Sequence, residues 1–340
     1  MGERKNKWNG VKPARQGRIH EVQFVLTMSR GNFWREDTCG DLSSGSLKMG
    51  RMQYMEYRGF STACRQMLES APDLHALLER ICHDSTCCVE VRHNYLNCYY
   101  RGGSLFKMKF KPKSKQLEFK FDPKYFSLKQ PPDAVYAGLK AWNDSGPSDP
   151  KEWLERLREL KQTMDAWLSE HPKAERETQQ EIVRLNTFAR GDYQSIDMEL
   201  AIPKDRESGR MDIIAVRREG ERYVPVIVEL KHGTGAFDGK SGIWDHYLKT
   251  TRFLDREGGE GYLIETIRRI WAAKRLLGLL EETVPDAAMF KKTELLFAVT
   301  GWPEGNTDDI RKRLPETLSR TVRVATSPTK ELYFGSGVPL

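Results

Sequence analysis

No stretch of the 340 residues approaches the roughly 18 consecutive apolar residues that a membrane-spanning helix needs. The polar, basic start from Met1 to Arg18 has no apolar run behind it. Both absences predict a soluble, cytoplasmic protein that is neither secreted nor membrane-bound. Cysteine is sparse and irregular: the six stand at 39, 64, 82, 87, 88 and 98, with none thereafter, which excludes a disulfide framework. Cys82, His83, Cys87, Cys88, His93 and Cys98 lie near one another in the chain. They form no Cys-x2-Cys pair facing a second pair at finger spacing, so buried or free thiols are expected there rather than zinc. No serine stands in a nucleophile-elbow sequence. A Walker-type phosphate loop is also missing: Gly239-Lys240-Ser241 has Thr234 where the first glycine of that motif would be. His20, His75 and His171 have no partner pattern, and there is neither an internal repeat nor a low-complexity segment.

What the chain does have is uneven charge. The net formal charge is +7, but residues 1–130 hold 23 Lys and Arg against 13 Asp and Glu, whereas residues 131–340 hold 32 against 35. A basic front half on a slightly acidic back half suggests that the first part grips a polyanion, the alternative being a solvated basic surface.

Periodicity divides the chain the same way. Residues 19–28 read as a buried strand and the Gly/Ser-rich stretch at 40–50 as a loop. Leu74, Leu77, Leu78 and Ile81 predict a helix over 73–83. Between Cys87 and Phe121 the period changes to two, in four short segments that predict an antiparallel meander. Its third segment alternates Phe106, Met108 and Phe110 with Lys107, Lys109 and Lys111. Such a lysine ladder near Arg101, Tyr99 and Tyr100 suits contact with a phosphate backbone; the competing reading is lysine placed as an edge-strand guard against aggregation. Residues 131–150 have the composition of a linker around one helix-like piece, which divides an α+β module (1–130) from a second domain (151–340).

The second domain predicts helices over 153–168 and 173–188, strands over 193–202, 210–217 and 222–231, helices over 242–256 and 261–281, and a strand over 294–300. The last of these helices reads as core or dimer packing, so a homodimer is an open expectation. In strand 222–231, Val224, Val226, Val228 and Leu230 share one face, while Ile227, Glu229 and Lys231 share the other. If the two strands form a hairpin, Asp212 stands opposite Glu229. Two carboxylates beside an amine suit phosphodiester hydrolysis. Asp212, Glu229 and the backbone carbonyl between Glu229 and Lys231 offer hard oxygen ligands for Mg²⁺ or Mn²⁺, and Lys231 would orient water or stabilise transition-state charge.

Asp212, followed after sixteen residues by Glu229-Leu230-Lys231 and preceded by an acid-bearing helix (Gln179-Gln180-Glu181-Ile182-Val183), resembles the PD-(D/E)xK nuclease superfamily over roughly residues 174–300. The resemblance implies an α/β restriction-endonuclease-like αβββαβ core, a mixed sheet flanked by helices, beside the N-terminal α+β meander. It implies Asp212, Glu229 and Glu181 as metal ligands, Lys231 as the catalytic lysine, and nucleic acid, DNA favoured, as substrate. A residue of the following helix often joins such sites, which leaves Asp245, His246 and Tyr247 open. Met211 stands where the pattern often has proline. His246 and Lys240, the latter in a glycine-rich loop, join Arg101, Lys107, Lys109 and Lys111 as candidate nucleic-acid contacts. The alternative is an inactive nuclease-fold protein that serves as a nucleic-acid-binding or scaffold protein.

Overall fold

The computed structural model describes residues 57–340 apart from 112, 115, 129–133, 202–209, 234–236 and 304–306. The strand expected over 19–28 and the loop expected at 40–50 lie outside the described residues. Two helices open the described chain, α1 (Thr62–Ser70) and α2 (Pro72–Cys82). Pro72 at the first helical position and Asp73 in the first turn start α2, and its stripe Leu74, Leu77, Leu78 and Ile81 is buried. The predicted meander follows as β1 (Cys87–Val91), β2 (Tyr95–Tyr100), β3 (Gly103–Lys111) and β4 (Gln116–Lys120), an antiparallel sheet in the order β1-β2-β3-β4.

Residues 134–144 form α3 (Ala134–Asp144), and α4 (Pro150–Glu170) begins directly after the Asp149 cap, whose carboxylate accepts from Lys151 N–H at 2.9 Å. The division expected at 131–150 does not coincide with a break in packing. Helix α4 lies against α2 and β3, with Trp153 at 5.2 Å from Phe119 and 5.5 Å from Phe106 between ring centroids. It therefore belongs to the meander's core, although its sequence falls beyond the predicted boundary. The described residues belong to one compact unit.

The rest of the chain runs α5 (Ala174–Leu185), β5 (Tyr193–Ala201), β6 (Arg210–Glu219), β7 (Arg222–His232), α6 (Ile243–Asp255), α7 (Gly259–Leu276), β8 (Glu294–Thr300), α8 (Asp308–Arg311), β9 (Val322–Ser327) and β10 (Val338–Pro339). The six strands form one mixed sheet in the order β10-β9-β8-β7-β6-β5. Strands β5, β6 and β7 pair antiparallel, β8 and β9 join β7 in parallel, and β10 pairs antiparallel with β9. The fold is thus mixed α/β, with eight helices, a four-stranded antiparallel sheet and a six-stranded mixed sheet among the described residues. No helix among them is long and apolar enough to cross a membrane. The predicted order of elements from α5 to β8 is present. The helix expected to reach 188 ends at Leu185, Phe188 instead opens a separate 3-10 turn (Phe188–Arg190), and α1, α8 and β9 were not anticipated.

Strand β7 is buried from Val224 to Lys231 because both sheet faces are covered. One face packs Val226, Val228 and Leu230 with Ile182 and Val183 of α5 and with Phe334. The other packs Ile214 and Ile227 in a core shared with Ile243 of α6 and Ile267 of α7. A two-residue turn, with Gly220 at φ 63°, closes the β6–β7 hairpin and sets its register, Glu219 opposite Arg222.

The two sheets are tied through buried ions. Arg92, just after β1, donates to Asp197 of β5 at 2.6 Å and to the Met198 carbonyl at 2.9 Å. Arg58 also donates to Asp197, and to the Glu199 carbonyl at 2.6 Å. Lys274 of α7 reaches Glu90 of β1 at 3.0 Å. Where the clamp grips β5, the register shifts between Ser195 and Asp197 and Glu199 takes a φ of 54°.

Candidate active site

The β6–β7 register determines where the two predicted carboxylates go. The ladder runs from Glu219 opposite Arg222 to Ile213 opposite Val228, and Asp212 and Glu229 stand one step beyond that last pair. They share the face of Ile214 and Ile227, the side covered by α6. In place of a further rung, the Asp212 carboxylate accepts the backbone N–H of Leu230 at 2.9 Å. The Asp212 carbonyl is held by the side-chain amide of Gln179 on α5 at 2.6 Å.

Glu229 is 3% exposed, and among the described residues its Oε2 has no hydrogen-bond partner. His246 of α6 brings Nδ1 to 2.9 Å from that oxygen, a close approach whose alignment is not that of a hydrogen bond. Two carboxyl groups in one low-dielectric site disfavour double ionisation. Burial, then the neighbouring Glu229, pushes Asp212 up to about 7, against the opposing pull of Leu230 N–H, Lys231 and His246. Lys231, also buried, donates its ammonium to the Ser241 carbonyl at 2.9 Å. Ser241 sits in a left-handed turn, φ 71°, and donates its N–H to Asp245 at 2.9 Å.

The structure thus brings together Asp212, Glu229, Lys231 and His246, and chooses among the three candidates on α6. Asp245 caps the preceding turn and pairs with Lys249 at 2.7 Å. Tyr247 bonds to Ser319, accepting its N–H at 3.0 Å. His246 alone of the three meets Glu229.

Glu181 is a correction. Its carboxylate is paired with Arg184, which also donates to the Ser85 carbonyl at 2.8 Å. Among the described residues, no group of three or more His, Cys, Asp or Glu is gathered to hold a metal, so Glu181 does not complete a ligand set with Asp212 and Glu229. Residues two apart on a helix point about 200° from each other. A helix that aims Gln179 at Asp212 therefore aims Glu181 away. Gln179 was missed because it carries no charge; its signal was its place two residues before the acid, on the face turned to the sheet.

The predicted nucleic-acid contacts divide. Arg101 is occupied by Asp165 at 2.7 Å and Glu177 at 3.4 Å, so its charge is neutralised within the fold. Lys111 is paired with Glu118 at 2.9 Å. Lys107, Lys109 and Lys240 are exposed. Cys64, Cys82, Cys87, Cys88 and Cys98 are free thiols, and burial pushes Cys82 up to about 12.

No known protein family, curated protein or solved structure matches this chain.

Proposed function

We propose that the protein is a metal-dependent nuclease of the PD-(D/E)xK type, built on a restriction-endonuclease-like core and hydrolysing phosphodiester bonds of nucleic acid, DNA favoured. The observation that carries this reading is the convergence of Asp212, Glu229 and Lys231 at the end of one hairpin, with Asp212 raised to about 7 by burial and by its acidic neighbour. A buried pair of carboxyl groups with an unpartnered oxygen is suited to a divalent cation, which relieves the repulsion between them. The donor set also fits the choice of ion: Mg²⁺ is commonly held by one or two carboxylates, with water and substrate phosphate completing the shell. Asp212 and Glu229 would hold Mg²⁺, or Mn²⁺ in its place. The ion would supply Lewis-acid polarisation of the phosphate and a lowered pKa for the attacking water.

The chain's own residues supply the rest. Leu230 N–H and Gln179 fix Asp212 from opposite ends of the residue. His246 keeps a donor-bearing ring against Glu229, limiting its rotation. Lys231, buried and oriented by the Ser241 carbonyl, places a positive charge beside the carboxylates, where it stabilises charge that develops on the phosphate.

The test is cleavage of plasmid, linear duplex, single-stranded DNA and RNA with Mg²⁺, Mn²⁺ or EDTA, with Glu229→Ala beside the native protein. Metal-dependent cutting lost in the variant supports the nuclease and names its substrate. Among the described residues no third acid joins Asp212 and Glu229, which favours a second reading, an inactive binding or scaffold protein on the same fold; binding without cutting under every condition selects it.

A further inference from the structure

The meander carries a feature that the catalytic reading leaves unused. Strand β3 lies between β2 and β4, so it is an interior strand. Its inward residues Phe106, Met108 and Phe110 are buried, and every outward position from 107 to 111 is an exposed lysine. The edge-guard explanation applies to edge strands, and therefore does not account for Lys107, Lys109 and Lys111.

The neighbouring strand strengthens the point. Lys107 stands directly opposite Lys120 of β4, also exposed, and like charges so placed destabilise a sheet. Glu118, opposite Lys109, is the one acid of β4, and it is already paired with Lys111. Among the described residues no ion pair engages Lys107, Lys109 or Lys120. An ordinary solvated surface intersperses both signs; this one concentrates a single sign at a cost to the sheet.

We infer that the face formed by Lys107, Lys109 and Lys120 is a binding surface for the phosphate backbone of nucleic acid, separate from the carboxylate site. Alternate residues of a strand repeat about every 6.7 Å, so the face presents a rigid row of point charges. That suits a stiff polyanion with regularly repeated phosphates. A membrane surface calls instead for apolar side chains among the lysines. Among the described residues, the exposed large apolar side chains, Val135, Trp244, Tyr333 and Val338, lie outside this sheet. Contacts from Lys107, Lys109 and Lys120 to phosphates fix position and add affinity without reading base sequence.

The experiment measures binding of the full chain to a fluorescein-labelled DNA duplex in EDTA, where no cutting occurs, across a salt series. It compares native protein, K107Q/K120Q and a charge-matched control, K140Q/K151Q. Because no metal is present, failure of the catalytic reading leaves this result untouched. The expected outcome is about tenfold weaker binding for K107Q/K120Q, with the slope of log Kd against log salt reduced by about one unit per lysine. The thermal midpoint should hold or rise, since a like-charge pair has been removed. The control should bind as native protein does. Equal affinity and slope in all three proteins would overturn the inference, as would binding of K107Q/K120Q weakened only to the extent of the control. Preferential binding of the native protein to phosphatidylserine vesicles, lost in K107Q/K120Q, would overturn it in favour of a membrane surface.

Discussion

The backbone N–H of Leu230 donates to the carboxylate of Asp212 at 2.9 Å, so a side chain occupies the place where the next rung of the β6–β7 ladder would form. The contact ends the hairpin and aims Asp212 at the site through the same hydrogen bond. It also brings Asp212 beside Glu229, and the energetic consequence can be measured.

Asp212 titrates near 4 in an unfolded chain and is raised to about 7 in the folded one. The folded state therefore binds the extra proton between those values. The contribution of this group to stability is complete below about pH 4 and is lost as pH rises towards 7. Asp212→Asn keeps an acceptor for Leu230 N–H and removes the titration. Its metal-free thermal midpoint should match native protein near pH 4 and exceed it at pH 8, by the equivalent of about 2–4 kcal/mol. Melts in EDTA at the two pH values check this; a difference that does not grow with pH would sink the assignment.

Divalent metal should reverse that cost. At pH 8, Mg²⁺ or Mn²⁺ should raise the thermal midpoint of native protein by mass action, and less so at pH 5.5, where the ion must displace a proton. Glu229→Gln should abolish the increase. Scanning calorimetry with and without metal reads both effects without reference to cleavage.

Glu181 and Lys231 make opposite predictions about cleavage. Glu181→Ala should leave the cleavage rate essentially unchanged, because its carboxylate serves Arg184. Lys231→Met should reduce the rate by about 10²–10³, the scale of losing one transition-state charge partner. Single-turnover assays on the substrate identified in the cleavage screen compare the two; a large loss for Glu181→Ala would restore the helix acid to the site.

The ion cluster between the sheets carries a stability prediction. Arg92 and Asp197 are both buried, and because Arg58 also pairs with Asp197 it is removal of the carboxylate, not of Arg92, that strands a buried charge. Asp197→Ala, which leaves the buried Arg92 guanidinium without its closest carboxylate, should cost about 3–5 kcal/mol, read by urea unfolding. A cost below about 1 kcal/mol, the scale of an exposed pair, would show that solvent reaches the cluster.

Local signals determined the elements. Alternation from Cys87 to Phe121 specified the four meander strands, and the helical stripe from Trp153 to Leu168 specified α4. The pairing of Asp212 with Glu229 was also legible, because strands of known period joined by a two-residue turn have only one register that buries both apolar faces. The tertiary structure decided what periodicity leaves open. It placed α4 on the meander across a linker-like segment, because Trp153 packs on Phe106 and Phe119, which are distant in the chain. It turned Glu181 away and brought Gln179 in, because helix rotation is set by which face meets the sheet. It selected His246 over Asp245 and Tyr247 by the same rule, and it made β3 an interior strand, which strand order alone can do. Sequence thus specified which residues alternate and which are apolar. The neighbours of each charged side chain depended on packing between elements far apart in the chain, which no local pattern encodes.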